Sequence, residues 1–159
     1  MIETFRQHLS QSFSSEAQLD GAVSGLSAFD WQPVADLFAM RLPEFDAVYA
    51  LPGAEQLGAE IAQARGVPEV SRSGWPGAGG EVLILSAQLK DGQAEEAVFT
   101  QARDSGWQVA LIAAAVEYTS LGGRARLHRH DVPVRAAAQV ATTPGGLIFE
   151  RRAPERWNH

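Results

Sequence analysis

The turn Leu89-Lys90-Asp91-Gly92 sets a cation, an acid and a glycine at the start of a stretch, Gly92 to Ser105, that reads as a helix. Such a turn can bind phosphate, because the first backbone N–H groups of a helix have no partner within it and the helix dipole favours negative charge. Lys90 and Gly92 suit that task. Asp91 opposes it, since two unit charges about 4 Å apart repel by about 4 kcal/mol at a surface-like dielectric. Asp91 also fits an ordinary N-cap ahead of Gln93 to Glu96. Glu55, after Pro52-Gly53-Ala54, reads as a solvated first-turn acid, favoured at a helix N-terminus. The segment His128-Arg129-His130-Asp131 carries two imidazoles and a carboxylate, and a strand would set both histidines on one face. With no further ligand residue nearby, it reads as a surface loop rather than a metal site. Arg72 could reach an anion but reads as solvent-exposed, and Trp75 reads as an aromatic pinning its glycine-rich loop rather than as a base-stacking platform.

These residues need elements to position them. Ile2, Phe5, Leu9 and Phe13 recur at helical spacing up to Ser14-Ser15. A second helix is predicted from Asp30 to Leu42, with Asp30 as cap, Pro33 in its first turn and Pro43 beyond its end. Gly21 to Ser27 reads as the connection between them. Thereafter short apolar runs alternate with helical segments. Ala47 to Leu51 reads as a strand, Glu55 to Arg65 as a helix stopped by Gly66 and Pro68, Val82 to Leu85 as a strand, and Val109 to Val116 as an unbroken apolar run. Val132 to Ala138 and Gly146 to Phe149 can each add an edge strand. Runs without polar alternation imply strands covered on both faces, hence an α/β fold with a central, mainly parallel sheet flanked by helices. Ligands in such folds sit at the carboxyl ends of strands, here the loops after Leu51, Leu85 and Tyr118.

Composition narrows the class. The 159 residues are 45% hydrophobic and 20% charged, a globular balance expected to form one domain, with residues 1–44 as a helical N-terminal segment and 45–159 as the α/β core. No cysteine is present, which excludes disulfides, thiolate metal sites and a cysteine nucleophile. A formal charge of -6 disfavours nucleic acid as a partner, and the Arg124, Arg126, Arg129 and Arg151, Arg152, Arg156 clusters read as solvated charge. Met1 to Arg6 carries an acid at once and has no long apolar region, so neither a secretory signal nor a membrane span is expected and a cytoplasmic location is.

The run Glu81-Val82-Leu83-Ile84-Leu85-Ser86-Ala87-Gln88-Leu89-Lys90-Asp91-Gly92 resembles, in place and order, the ribose-phosphate signature of type I phosphoribosyltransferases. That signature is a buried strand, two acidic residues, a hydroxyl-rich turn and a glycine opening a helix. Phe45 to Gly53 resembles the family's strand and pyrophosphate loop, Ala59 to Pro68 its next helix and Gly-Val-Pro turn, and Ala97 to Val116 its following helix and strand. Gly122 to Leu127 and His130 to Val134 resemble its closing segments, and the orotate branch is the most similar. The resemblance implies a three-layer phosphoribosyltransferase-like fold and a homodimer. It makes Ser86, Lys90, Asp91 and Gly92 a relic phosphate and ribose site, and Pro52, Gly53, Ala54 and Glu55 the pyrophosphate loop. It departs from the family where chemistry matters, because Ser86 and Ala87 stand in place of the acids that would face a ribosyl cation or Mg²⁺.

The expectation is therefore a non-catalytic homologue with no catalytic residue, metal or cofactor, which binds a small phosphorylated metabolite or a protein partner. The alternative is an active transferase, with Mg²⁺, moving 5-phosphoribosyl from its diphosphate to a nucleobase such as orotate. A second alternative is another nucleotide-binding α/β domain. The lack of G-x-G-x-x-G after the first core strand lowers the dinucleotide option.

Overall fold

The computed structural model describes residues 2–10, 14–70, 74–77 and 79–150. Ser71, Arg72, Ser73 and the Arg151, Arg152, Arg156 cluster lie outside the described residues. Three helices come first: α1 (Ile2–Ser10), α2 (Glu16–Ser24) and α3 (Ala28–Arg41). The stretch expected to connect two helices is thus largely helix. Ser15 accepts from the Gln18 N–H at its start, and the interior Gly21 costs only about 1 kcal/mol relative to alanine, which the burial of Leu19 and Val23 offsets. The cap of α3 is Ser27, not Asp30. Ser27 accepts from the Asp30 N–H while the Asp30 carboxylate accepts from the Ser27 N–H, a reciprocal capping box that holds Asp30 below the usual carboxylate range. Pro33 consequently lies inside the helix rather than in its first turn.

The core runs β1 (Ala47–Ala50), α4 (Glu55–Arg65), β2 (Glu81–Leu89), α5 (Gln93–Asp104), β3 (Gln108–Tyr118), α6 (Gly123–His128), β4 (Val134–Thr143) and β5 (Gly146–Phe149). The sheet order is β1-β2-β3-β4-β5, parallel throughout except for β5. The strand expected at the edge from Val132 is interior and longer, because β5 folds back antiparallel on it and takes the edge. On the other flank of β1, Glu69 makes a parallel bridge to Val48. The chain therefore steps outward from β1 to Glu69 and then crosses back to β2, which creates a topological switch between β1 and β2.

Both faces of the sheet are covered, as the unbroken apolar runs demand. Leu83, Leu85, Leu111 and Ala113 pack with α1, α3 and α4 on one side, while Ile84, Ile112 and Ala114 meet Val98 of α5 and Leu127 of α6 on the other. Gly58 lets α4 lie directly on β1, since a Cβ there would come within 2.7 Å of the Ala50 Cβ. Arg65, at the end of α4, donates to the Ala39 carbonyl at 2.7 Å and to the Leu42 carbonyl, satisfying the carboxyl end of α3. Trp75 packs between Tyr49 and Trp107, with ring centroids 5.6 and 5.9 Å away, and so pins its loop. Among the described residues no helix is long and apolar enough to cross a membrane.

Candidate functional site at the sheet switch point

The carboxyl ends of β1 and β2 frame a cleft of about 390 Å³, lined also by Val23 and Ser24 of α2 and by Ala94 and Glu95 of α5. The two loops singled out in the sequence meet here. Pro52 and Gly53 follow β1, and Ser86, Gln88 and Lys90 follow one another along β2 and out of its end. The strand reaches four residues beyond Leu85, so Ser86 and Ala87 are held in the parallel ladder with β3 rather than in a turn.

Three anion-binding donors of these loops are occupied by carboxylates of the chain itself. The Gly53 N–H donates to Glu55 Oε2 at 2.9 Å, so Glu55 is not merely solvated. The Gln93 N–H, first in α5, donates to Asp91 Oδ1 at 3.0 Å. The formal cap position is Gly92, in the left-handed region at φ 82°, and Asp91 does the capping from one residue earlier. Gly92 is needed for packing, because a Cβ there would sit 3.1 Å from the Gly123 Cα. Lys90 Nζ lies 3.0 Å from Glu16 Oε1 and 3.1 Å from Asp20 Oδ2, both on α2, and 5.5 Å from the Tyr118 ring centroid. Burial alone would pull the Lys90 ammonium down, and the two carboxylates more than reverse it.

Glu95 is the group that sequence reasoning missed. Its side chain is only 4% exposed, it lines the cleft beside Ser86, and burial pushes its carboxyl above the ordinary range. The Ser86 hydroxyl and the helix backbone pull it back down, and the Asp91 charge adds to the rise. Its signal was periodicity, since Glu95, Val98 and Ala102 form the buried stripe of α5, and an acid on that stripe is out of place. Gln88, whose Oε1 accepts from the Tyr118 hydroxyl at 3.0 Å, completes the polar lining.

A second polar cluster stands one strand further on. Buried Glu117 takes 2.9 and 2.7 Å bonds from Arg124 Nε and Nη2 and a 2.8 Å bond from Gln139, while Arg124 Nη1 donates to the Val134 carbonyl. Arg126 donates to the Asp91 carbonyl and pairs with Glu96, and His130 Nε2 lies 2.8 Å from Glu96 Oε2. The reading of Arg124 and Arg126 as solvated charge is corrected by these contacts. His128 ends α6 and His130 follows it in a turn, so the two do not share a strand face. Among the described residues no three His, Asp or Glu side chains converge on a possible metal position, and the cleft lining does not fit a directly held Mg²⁺.

A sheet with this order, its switch point beside β1 and its polar crevice at the strand ends make a doubly wound α/β domain, and its likeness to solved structures shows the type I phosphoribosyltransferase-like fold. Solved structures agree. The chain superposes on orotate phosphoribosyltransferase from Aeropyrum pernix with a TM-score of 0.63 at 18% identity, covering 71% of this chain and 72% of that one. It matches adenine phosphoribosyltransferase from Thermoanaerobacter pseudethanolicus with a TM-score of 0.61 at 20% identity, covering 71% and 82%. For UMP synthase of Leishmania donovani the TM-score is 0.60 at 20% identity, over 69% of this chain and only 27% of that protein's length. No family model and no curated protein matches the sequence.

Proposed function

We propose that the chain is a phosphoribosyltransferase homologue that no longer transfers phosphoribosyl groups and keeps its crevice for binding a small metabolite or a partner. One observation carries this reading: the Gly53 N–H, the Gln93 N–H and Lys90 each already hold an internal carboxylate. A diphosphate donor would have to displace Glu55, Asp91, Glu16 and Asp20 from the donors it needs, and would meet their charge while doing so. Ser86 and Ala87 add to the case, because neither offers negative charge to a ribosyl cation.

Glu95 favours the rival reading of a live transferase, since it returns one carboxyl to the neighbourhood of Ser86. Incubation with 5-phosphoribosyl diphosphate, Mg²⁺ and orotate or adenine separates the two. The expected result is no nucleotide. Nucleotide formation lost in both Lys90→Ala and Glu95→Gln would establish the transferase instead. Acids restored at Ser86 and Ala87 together with Asp91→Thr are expected to strengthen diphosphate binding.

A further inference from the structure

The crevice has the volume of a small-ligand site, and its charges are arranged for one sign of ligand. Among the described residues no arginine or histidine lines it. Its single lining cation among them, Lys90, is engaged by Glu16 and Asp20, and the triad they form carries a net negative charge. Asp20 keeps its second oxygen, Oδ1, buried and without a hydrogen-bond partner. Glu95 is the one carboxyl among the described lining residues, 4% exposed, with no cation of theirs beside it. A buried carboxylate without a counter-ion is costly, and a bound cation removes that cost. Glu55 and Asp91 stand on the loops at either side, so the surrounding field also draws cations inward. Val23, Leu51 and Ala87 supply an apolar wall for a hydrocarbon chain.

We propose that this crevice binds a small organic cation, an alkyl amine or alkyl guanidinium compound, whose charged head pairs with Glu95 beside Ser86. This refines the reading of the crevice as a binding site, and it replaces the phosphorylated metabolite expected from the sequence. A bound cation favours the ionised form of Glu95, so cation entry is linked to proton release wherever Glu95 still holds a proton.

Calorimetry with putrescine, agmatine, ribose 5-phosphate and inorganic pyrophosphate tests the proposal. At least one of the two cations is expected to bind with 1:1 stoichiometry, with proton release that grows as pH is lowered toward the carboxyl range, read as a heat that depends on the buffer's ionisation enthalpy. Glu95→Gln, which keeps the side chain's size, is expected to weaken binding at least tenfold. Ala94→Phe, at an exposed lining position that leaves the core untouched, is expected to abolish it. No binding by either cation, equal binding to Glu95→Gln, or tighter binding of ribose 5-phosphate than of both cations would overturn the proposal. Nucleotide formation in the transferase assay would overturn the reading beneath it, and silence in both experiments would remove the cation alone.

Discussion

Two acidic residues, Glu117 and Glu95, are almost equally buried, at 2% and 4% exposure, yet the protein treats them in opposite ways. Glu117 is held by the Nε and Nη2 edge of the Arg124 guanidinium and by Gln139, in a cluster that ties β3, α6 and β4 together. Glu95 faces a cleft with a hydroxyl for company and no basic partner among the described residues. A buried charge that the chain neutralises with good geometry is a brace, whereas one left facing a cavity is an opening for chemistry. Removing the brace is expected to give the largest effect of any single substitution at these sites. Arg124→Ala leaves buried Glu117 without its two Arg124 bonds, takes the Arg124 donor from the Val134 carbonyl as well, and should cost about 3 kcal/mol, the low end for a broken buried pair because Arg124 is partly exposed. Urea unfolding checks this, and a loss under about 1 kcal/mol would erase the distinction between the two acids.

Lys90 sharpens the same comparison, because it belongs to the cleft yet behaves as a brace. In Lys90→Met the alkyl stem remains, and Glu16 and Asp20 lose their common cation. These groups are partly exposed, so the expected destabilisation is about 1 kcal/mol and should shrink as salt is raised. The unfolding midpoint followed from low to high salt would show it. A loss that salt leaves unchanged would mean that the place of the Lys90 ammonium over the Tyr118 ring, rather than its pairing with Glu16 and Asp20, carries the effect.

The sequence makes the fold legible where one rule governs a whole segment. Val82 to Leu85 and Val109 to Val116 are apolar without alternation, and only two-sided burial satisfies them. Glu55 to Arg65 has its left-handed stop at Gly66 and is delimited to the residue. The N-terminal helices are less legible, because Gly21 and Pro33 are breakers by propensity and are overruled by caps at Ser15 and Ser27 and by burial of Leu19, Val23 and Val34. Of the site, the loops at Pro52 to Glu55 and Ser86 to Gly92 converge as expected, since the topology requires it. The partners of Lys90 are not readable, because Glu16 and Asp20 come from a helix about seventy residues earlier in the chain. Glu95 is findable from the stripe it shares with Val98.

Neighbouring Glu95 and Glu96 turn the comparison into a pH experiment. Burial raises the Glu95 pKa on folding, so this group favours the folded state while protonated and loses that contribution as pH climbs through its folded value. Glu96 is lowered, chiefly by His130 and then by Arg126, so its contribution is present above the ordinary Glu range and is lost as pH falls. Glu95→Gln removes the first effect alone. Relative to the parent, it is expected to be equally stable at acidic pH and to become the more stable of the two as pH rises above the ordinary Glu range, the sign opposite to most core substitutions. Thermal unfolding across pH 4 to 8, roughly spanning the carboxyl titration, checks the divergence, and a variant less stable than the parent at every pH would show that Glu95 is a satisfied structural acid after all.

The smallest expected effect is at Glu55, and it separates occupancy of the first loop from its shape. The Glu55 carboxylate accepts the Gly53 N–H and sits in the first turn of α4, whose cap residue, Ala54, has no side-chain oxygen to offer. Glu55→Ala therefore frees one backbone donor and removes a favourable charge from a helix start, at a cost of about 0.5 kcal/mol. Both groups are exposed, so water replaces most of what is lost. The loop keeps its course through the Ala54 N–H bond to the Leu51 carbonyl, which the substitution does not touch. If the internal carboxylate is what keeps anions out, inorganic pyrophosphate should bind the variant more tightly than the parent, and the gain should fall with added salt as an electrostatic effect must. Calorimetric titration of both proteins measures it. An unchanged pyrophosphate affinity would place the barrier in the loop's backbone course instead of in the Glu55 charge.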